Sequence, residues 1–177
     1  MSKRLLSLFL LTAALAISAA EPRVSRTAIA GAEKSFDGRI VALWHDALAL
    51  LGPTRGVYLD GYGVVLTAEI NVAMPPISLM NPKPTPKQMV ELHKTKLERL
   101  PELRASMKTA LMDAAASFDP LPANEQIVLA VLLPRFPGED TTGLPLQMIM
   151  QGTKEKLLAA KRANGAGIDQ ALRVTEF

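Results

Sequence analysis

The side chains of this sequence that are best suited to chemistry stand around one predicted turn, Asp60-Gly61. Two apolar, β-prone runs, residues 57–59 and 64–70, flank it, and Asp-Gly between such runs predicts a β-hairpin because both residues tolerate positive φ. Carboxylates beside phenols can serve acid–base chemistry or make polar contacts with a ligand or protein. Strand geometry does not bring Glu69 near the turn, so we predict a binding site and no catalytic residue. The partner- or ligand-binding candidates are Tyr58, Asp60, Tyr62 and Glu69.

Other catalytic and metal-binding patterns are absent from the sequence. The two histidines, His45 and His93, lack further ligands at metal-site spacing, and the charged stretch around His93 indicates a solvated helix face. No Ser stands in Gly-x-Ser-x-Gly or Ser-x-x-Lys, and no Gly-rich loop precedes Lys-Ser or Lys-Thr. We therefore predict no metal and no cofactor. The alternative to a binding protein is an envelope hydrolase of unrecognised type that uses Asp60, Glu69 or His45.

The first 20 residues predict a secretory signal peptide. Lys3 and Arg4 form a short basic segment, an uncharged apolar run covers residues 5–17, and small residues precede Glu21. The apolar run is shorter than the roughly 20 residues that a membrane-spanning helix needs. We expect cleavage after Ala20, export to the periplasm or the exterior, and no stable membrane span afterwards. An uncleaved membrane anchor is the alternative.

Composition argues against a nucleic-acid-binding protein and against a disulfide-stabilised one. The chain has 20 Lys+Arg and 17 Asp+Glu, and removal of Lys3 and Arg4 with the leader lowers the net charge from +3 to +1. No basic run matches a phosphate backbone, and aromatic residues make up only 5%, so we predict no nucleic-acid binding. The chain has no Cys, so the fold depends on its core and not on disulfides. Residues 21–177 have the length of one domain.

Apolar periodicity predicts the elements that position the turn. After a mobile lead-in over residues 21–34, helical spacing over residues 36–51 predicts a first helix packed on the hairpin. A Pro-rich connector over residues 74–86 follows the hairpin and crosses the surface. Thr85, followed by Pro and then by Gln at the capping-box position, predicts the start of a long helix. Pro101 interrupts that helix, and we expect a kink or a break there.

The remaining elements predict the fold class. The unbroken apolar run at residues 126–133 indicates a strand buried on both faces, and the alternating residues 144–151 indicate a half-buried strand. A short helix over residues 154–162 and an edge strand over residues 172–176 complete the order. We predict a single α+β domain over residues 35–177. Its antiparallel sheet of four to five strands is covered by a first helix, a long Pro-kinked helix and a short C-terminal helix.

The succession of elements resembles that of Roadblock-type domains, which are small profilin-like sandwiches. The similarity covers roughly residues 35–162 and includes the hairpin sequence of residues 56–66, in which apolar runs flank Asp-Gly. This resemblance implies a dimerising or scaffolding module and not an enzyme. The leader and the α+β pattern also resemble exported bacterial proteins in general, which implies no particular activity.

These observations favour an exported, non-enzymatic interaction or accessory module of the cell envelope. Its expected partner is an envelope protein or a second copy of the chain. The leader, the long amphipathic helix and a free strand edge are the features that support this expectation.

Overall fold

The helices of the domain form one layer on one face of a five-stranded sheet. The computed structural model describes residues 24–45, 49–75 and 83–177. The predicted signal peptide lies outside these residues. The elements are α1 Arg26–Trp44, β1 Arg55–Leu59, β2 Gly63–Glu69, α2 Pro86–Ser117, β3 Gln126–Leu132, β4 Gln147–Thr153, α3 Lys154–Arg162, α4 Ile168–Ala171 and β5 Arg173–Glu176. The predicted α+β class is therefore confirmed.

Helix α1 begins earlier and ends earlier than the sequence predicts. Ser25 caps it by accepting a hydrogen bond from the backbone N–H of Ala28, so residues 26–34 are helical and the predicted lead-in there is wrong. The helix ends where His45 adopts a left-handed conformation with a φ of 51°. Residues 49–51 then pair with the end of β2, through Asn71 N–H to Ala49 O at 2.7 Å and Leu51 N–H to Glu69 O at 3.1 Å.

Helix α2 starts where the sequence predicts and runs through its proline. Thr85 and Gln88 form the predicted capping box, in which each side chain accepts the backbone N–H of the other residue. The helix is continuous from Pro86 to Ser117 with Pro101 inside it, so the chain does not break there. Its buried residues follow helical spacing and include Leu103, Met107 and Leu111. The Pro-rich connector falls largely on residues 76–82, which lie outside the described residues.

The strands lie in the order in which they occur along the chain, β1-β2-β3-β4-β5. The β1–β2, β3–β4 and β4–β5 pairs are antiparallel, as predicted. The β2–β3 pair is parallel and departs from the predicted antiparallel sheet. The physical reason is the connection: α2 carries the chain from the end of β2 back to the beginning of β3, and such a crossover joins parallel strands.

The core lies between the inner face of the sheet and the helices. It includes the side chains of β2, β3 and β4 that alternate towards α1 and α2, among them Leu66, Leu129 and Met150. Strand β3 is buried on both faces as predicted, since Val128 and Ala130 are also buried although they lie outside the core cluster. The sheet therefore has an inner face, which the helices cover, and an outer face, to which both strands of the hairpin contribute.

Candidate interaction site

Three of the four predicted binding residues meet where β1 turns into β2. Tyr62 donates its backbone N–H to Leu59 O at 3.0 Å and so closes the turn. Gly61 has a φ of 74°, a conformation that glycine adopts without steric cost. The hairpin predicted from Asp60 and Gly61 is confirmed. The side chain of Tyr62 is 42% exposed and is accessible to a partner.

The phenol of Tyr58 lies between two carboxylates at this turn. Its Oη is 3.3 Å from Oδ1 of Asp60 and 3.4 Å from Oε1 of Glu125. A phenol has one proton, so it donates to one carboxylate at a time. Burial, followed by the hydrogen bond and charge of Glu125 and then those of Asp60, raises the pKa of Tyr58 above its usual 10.0. Tyr58 is therefore a protonated donor at neutral pH and holds the turn against the start of β3.

Glu125 is a buried residue that sequence reasoning missed. It precedes β3 and is only 4% exposed. Its contact with Tyr58 joins segments that are far apart in the chain, and no local pattern signals such a contact.

Glu69, the fourth predicted residue, lies away from the turn. It ends β2, whose first residue is Gly63, and six residues of extended chain span about 20 Å. Its side chain is exposed on the outer face. His45 follows α1 in the helix layer, on the other side of the sheet. The structure thus does not bring Asp60, Glu69 and His45 into one site.

The outer face of the sheet, here called the open face, carries an apolar band. Registered pairing aligns Val57, Val65 and Val128 across β1, β2 and β3, and aligns Ala130 with Ile149 across β3 and β4. The helices contact one another in sequence, α1 with α2 and α2 with α3, and form a single layer on the inner face. No described helix covers the open face. Its outward-pointing apolar side chains are Val57, Leu59, Val65, Val128, Ala130, Leu132 and Ile149.

Several of these apolar side chains are accessible to water. Val57 is 49% exposed, Leu59 45% and Leu132 38%, whereas Val128 and Ala130 between them on β3 are buried. Arg55 and Arg173 border the band on the two edge strands, and both are exposed. An apolar centre with a charged rim has the general anatomy of a protein–protein interface.

The edge of the sheet at β1 is closed by side chains of α1. Oε1 of Glu33 accepts the backbone N–H of Gly56 at 2.7 Å, and Oδ1 of Asp37 accepts the backbone N–H of Thr54 at 3.0 Å. Glu33 and Asp37 are four residues apart on a helix, a rise of about 6 Å. Thr54 and Gly56 are two residues apart in extended chain, a span of about 6.7 Å, so each carboxylate lies opposite one backbone N–H. Arg26 donates to Gly56 O at 3.3 Å and completes the closure. These bonds block strand addition along this part of β1.

A cavity of about 780 Å³ lies beside the first turns of α2. Its polar lining residues are Lys83, His93 and Asp140. Nδ1 of His93 lies 2.9 Å from Asp140 O, and because a carbonyl only accepts, Nδ1 carries the proton. The His93 side chain is 17% exposed, which corrects its prediction as part of a solvated face. The apolar lining residues are Pro75, Pro84, Pro86, Met89, Val90, Phe136 and Pro137.

A buried ion pair supports one wall of this cavity. Nζ of Lys96 lies 2.8 Å from Oε2 of Glu139 and 5.2 Å from the centre of the Phe136 ring. Oε2 of Glu139 also accepts the backbone N–H of Phe136 at 2.8 Å. The described lining includes no Ser, Thr or Cys. The cavity can therefore enclose an apolar group but offers no hydroxyl or thiol nucleophile.

Neither a metal site nor a membrane-spanning helix among the described residues, nor a known relative, is found that would explain these surfaces. The part of the chain that the structure describes has no cluster of three or more His, Cys, Asp or Glu able to hold a metal ion. None of the helices within that part has the length and apolar character needed to cross a membrane. Comparison of the chain with protein-family models, curated proteins and solved structures finds no match.

Proposed function

We propose that this protein is an exported, non-enzymatic interaction module of the cell envelope and that its open face binds a protein partner. The observation that carries the proposal is the apolar band on the open face, which no described helix covers. The leader predicted over residues 1–20 supports export. The resemblance to Roadblock-type domains stays a prediction, and the scaffolding role that it implies agrees with this function.

Energetics favour a partner on this face. Val57, Leu59 and Leu132 are each close to half exposed. Covering the remaining surface of each side chain is worth about 1 kcal/mol, since complete burial of such a side chain is worth about 1.5–3 kcal/mol. An isolated domain gains nothing from leaving three such side chains along one band in water.

Charge indicates the kind of partner. Arg55 and Arg173 lie at opposite edges of the band, and Glu69 lies at one end of β2. The fitting partner is a folded envelope protein with an apolar ridge between carboxylates that meet the two arginines. Such rim charges chiefly set association rate and specificity.

The hydrolase alternative has less support. It requires at least two of Asp60, Glu69 and His45 in one pocket, whereas Asp60 and Glu69 lie at opposite ends of β2. The raised pKa of Tyr58 makes that phenol a poor nucleophile at neutral pH.

A photo-crosslinking amino acid at position 57 tests the proposal in cells that export the protein. Position 41 on α1 is the matched control, because Val41 is also an exposed valine, at 37%, but lies in the helix layer. We expect one envelope protein to be captured from position 57 and not from position 41. Equal capture from both positions, or none from position 57, contradicts the proposal.

The captured protein must then bind the purified domain. Val57→Asp is expected to abolish binding, and Arg55→Glu is expected to lower the association rate about tenfold at low salt while the fold is retained. Val41→Asp serves as the control for added charge. Binding that survives Val57→Asp excludes the open face as the contact surface.

A further inference from the structure

The two edges of the sheet differ in what their backbone groups contact. At β1, Glu33, Asp37 and Arg26 satisfy the outward backbone groups of Thr54 and Gly56. At β5, neither the helices nor the loops that the structure describes supply such groups. The closure of β1 covers Thr54 and Gly56 but not Tyr58, whose backbone groups point outward in the same register. The edge at β5 is therefore the longer stretch that is open to another strand.

The register of β5 identifies which of its backbone groups point outward. Phe177 and Gln147 exchange both hydrogen bonds, at 3.0 Å and 3.4 Å, and so form a hydrogen-bonded pair. Along an antiparallel ladder, hydrogen-bonded pairs alternate with non-hydrogen-bonded pairs, so Thr175 also bonds to β4. The N–H and C=O groups of Val174 and Glu176 therefore point away from β4. No described residue forms a hydrogen bond with these four outward groups. Among the described residues, the edge of β5 thus presents unpaired N–H and C=O groups at every second residue, Val174 and Glu176.

We propose that β5 pairs antiparallel with β5 of a second copy of this chain and joins the two sheets into one of ten strands. The inference goes beyond the open-face proposal, because it concerns the edge of the sheet and a different occupant, although Arg173 takes part in both. A two-fold axis at Thr175 places Val174 opposite Glu176 of the second copy. Val174 and Glu176 of opposite copies then exchange two backbone hydrogen bonds. The two-fold axis repeats this pair, so four bonds form in all.

The side chains of β5 fit their own copies in this register. Thr175 faces Thr175 of the second copy, a favourable cross-strand pair. Arg173 faces Phe177 of the second copy on the outer face, where the guanidinium can stack on the ring. Phe177 is 66% exposed and Val174 is 45% exposed, so pairing covers apolar surface.

Neighbouring registers fit less well. An axis at Glu176 places two Glu176 carboxylates opposite each other, and like charges there are unfavourable. In the single chain both oxygens of Glu176 are already bound by Arg104, at 2.7 Å and 2.8 Å, which holds that carboxylate on its own sheet. An axis at Val174 runs the second chain alongside α4, which ends at Ala171. Thr175 therefore fixes the register.

Crosslinking tests the dimer directly, because the chain has no native cysteine. Opposed residues of a non-hydrogen-bonded pair have Cα atoms about 4.5 Å apart, within disulfide range, so Thr175→Cys is expected to yield a disulfide-linked dimer under mild oxidation. Thr67→Cys is the control, since Thr67 is exposed on the open face but away from the edge. Rapid dimerisation through position 175 alone supports the proposal. Dimerisation through position 67 alone indicates face-to-face association and overturns it.

Solution mass measurement of Val174→Pro gives an independent readout. Proline removes the outward N–H of Val174 and leaves the ladder to β4 intact, so the dimer dissociation constant is expected to rise about tenfold or more. Val174→Thr keeps the donor and is expected to dimerise like the native chain. A native chain that is monomeric at every concentration tested, with no disulfide from position 175, overturns the dimer while leaving the open-face proposal standing.

Discussion

Oε1 of Glu33 accepts the backbone N–H of Gly56 at 2.7 Å, so a helix side chain occupies the place that a neighbouring strand would take. The same carboxylate binds Arg26 through two hydrogen bonds, of 2.7 Å and 2.8 Å. Glu33 is nearly buried, at 8% exposure. This side chain therefore both fixes α1 to the sheet and closes the β1 edge at Gly56.

Replacement of Glu33 by alanine is expected to lower the free energy of unfolding by about 1–3 kcal/mol, because it leaves the backbone N–H of Gly56 without its acceptor in a largely buried position. Glu33→Gln keeps an acceptor and is expected to cost less. Urea unfolding measures both. Glu98→Ala is the control, because Glu98 forms only an exposed ion pair with Lys94, and it is expected to change stability by less than about 0.5 kcal/mol.

The stabilisation by Glu33 is expected to depend on pH. The hydrogen bond from Arg26, aided by the backbone N–H of Gly56 and the positive charge of Arg26, holds the pKa of Glu33 below its usual 4.5. A carboxyl group with a lowered folded-state pKa stabilises fully above its unfolded pKa, and this stabilisation is lost as the pH falls through the folded pKa. The difference in unfolding free energy between the native chain and Glu33→Gln should therefore shrink on acidification below about 4.5. A difference that is the same at neutral and acidic pH contradicts this account.

Lys154 is expected to be the charged residue whose removal costs most. Its Nζ donates to three backbone carbonyls, those of Phe118, Asp119 and Leu121, at 2.8–2.9 Å, and so binds the segment that follows α2 to the start of α3. Lys154→Met keeps the length of the side chain but removes this donor. The Phe118 carbonyl keeps its bond from the backbone N–H of Leu121, whereas the carbonyls of Asp119 and Leu121 lose the bond from Lys154. We expect a loss of about 3 kcal/mol in thermal or chemical unfolding. Lys156→Met, at an exposed position of the same helix, should change stability by no more than about 0.5 kcal/mol.

Two glycines of the hairpin provide a matched pair of substitutions. Gly63 has a φ of 133°, and a Cβ there would overlap the backbone oxygen of Gln126 on β3. Gly63→Ala is therefore expected to destabilise the fold by more than about 3 kcal/mol. Gly61 has a φ of 74° but open space around it, so Gly61→Ala should cost only about 1 kcal/mol. Equal effects of the two substitutions contradict the close β2–β3 approach at Gly63.

The parts of the fold that were predictable depend on neighbours along the chain. The turn at Asp60 and Gly61, the capping box of Thr85 and Gln88, and the helix over residues 154–162 all follow from residues a few positions apart. The start of α1 was missed because Glu33, a charged residue within it, is buried against the edge of β1 and does not face solvent. That use of Glu33 depends on a strand more than twenty residues away.

The candidate site was predictable only in part for the same reason. Sequence patterning identified Tyr58, Asp60 and Tyr62 as neighbours at a turn, but Glu125 joins them through a contact between distant segments. Glu69 was grouped with them by proximity in sequence, and the length of β2 separates it from the turn. Alternation along a strand indicates two faces but does not indicate which one the helices will cover.

By itself, the sequence determined the class of the fold, most of its elements and the hairpin of β1 and β2, because apolar period, caps and turn residues act over short distances. Tertiary structure decided the parallel pairing of β2 with β3, the helix layer on one face, the closure of the β1 edge and the open edge at β5. Those outcomes depend on the direction of crossovers and on contacts between remote residues. They determine which surfaces of the protein remain available for binding.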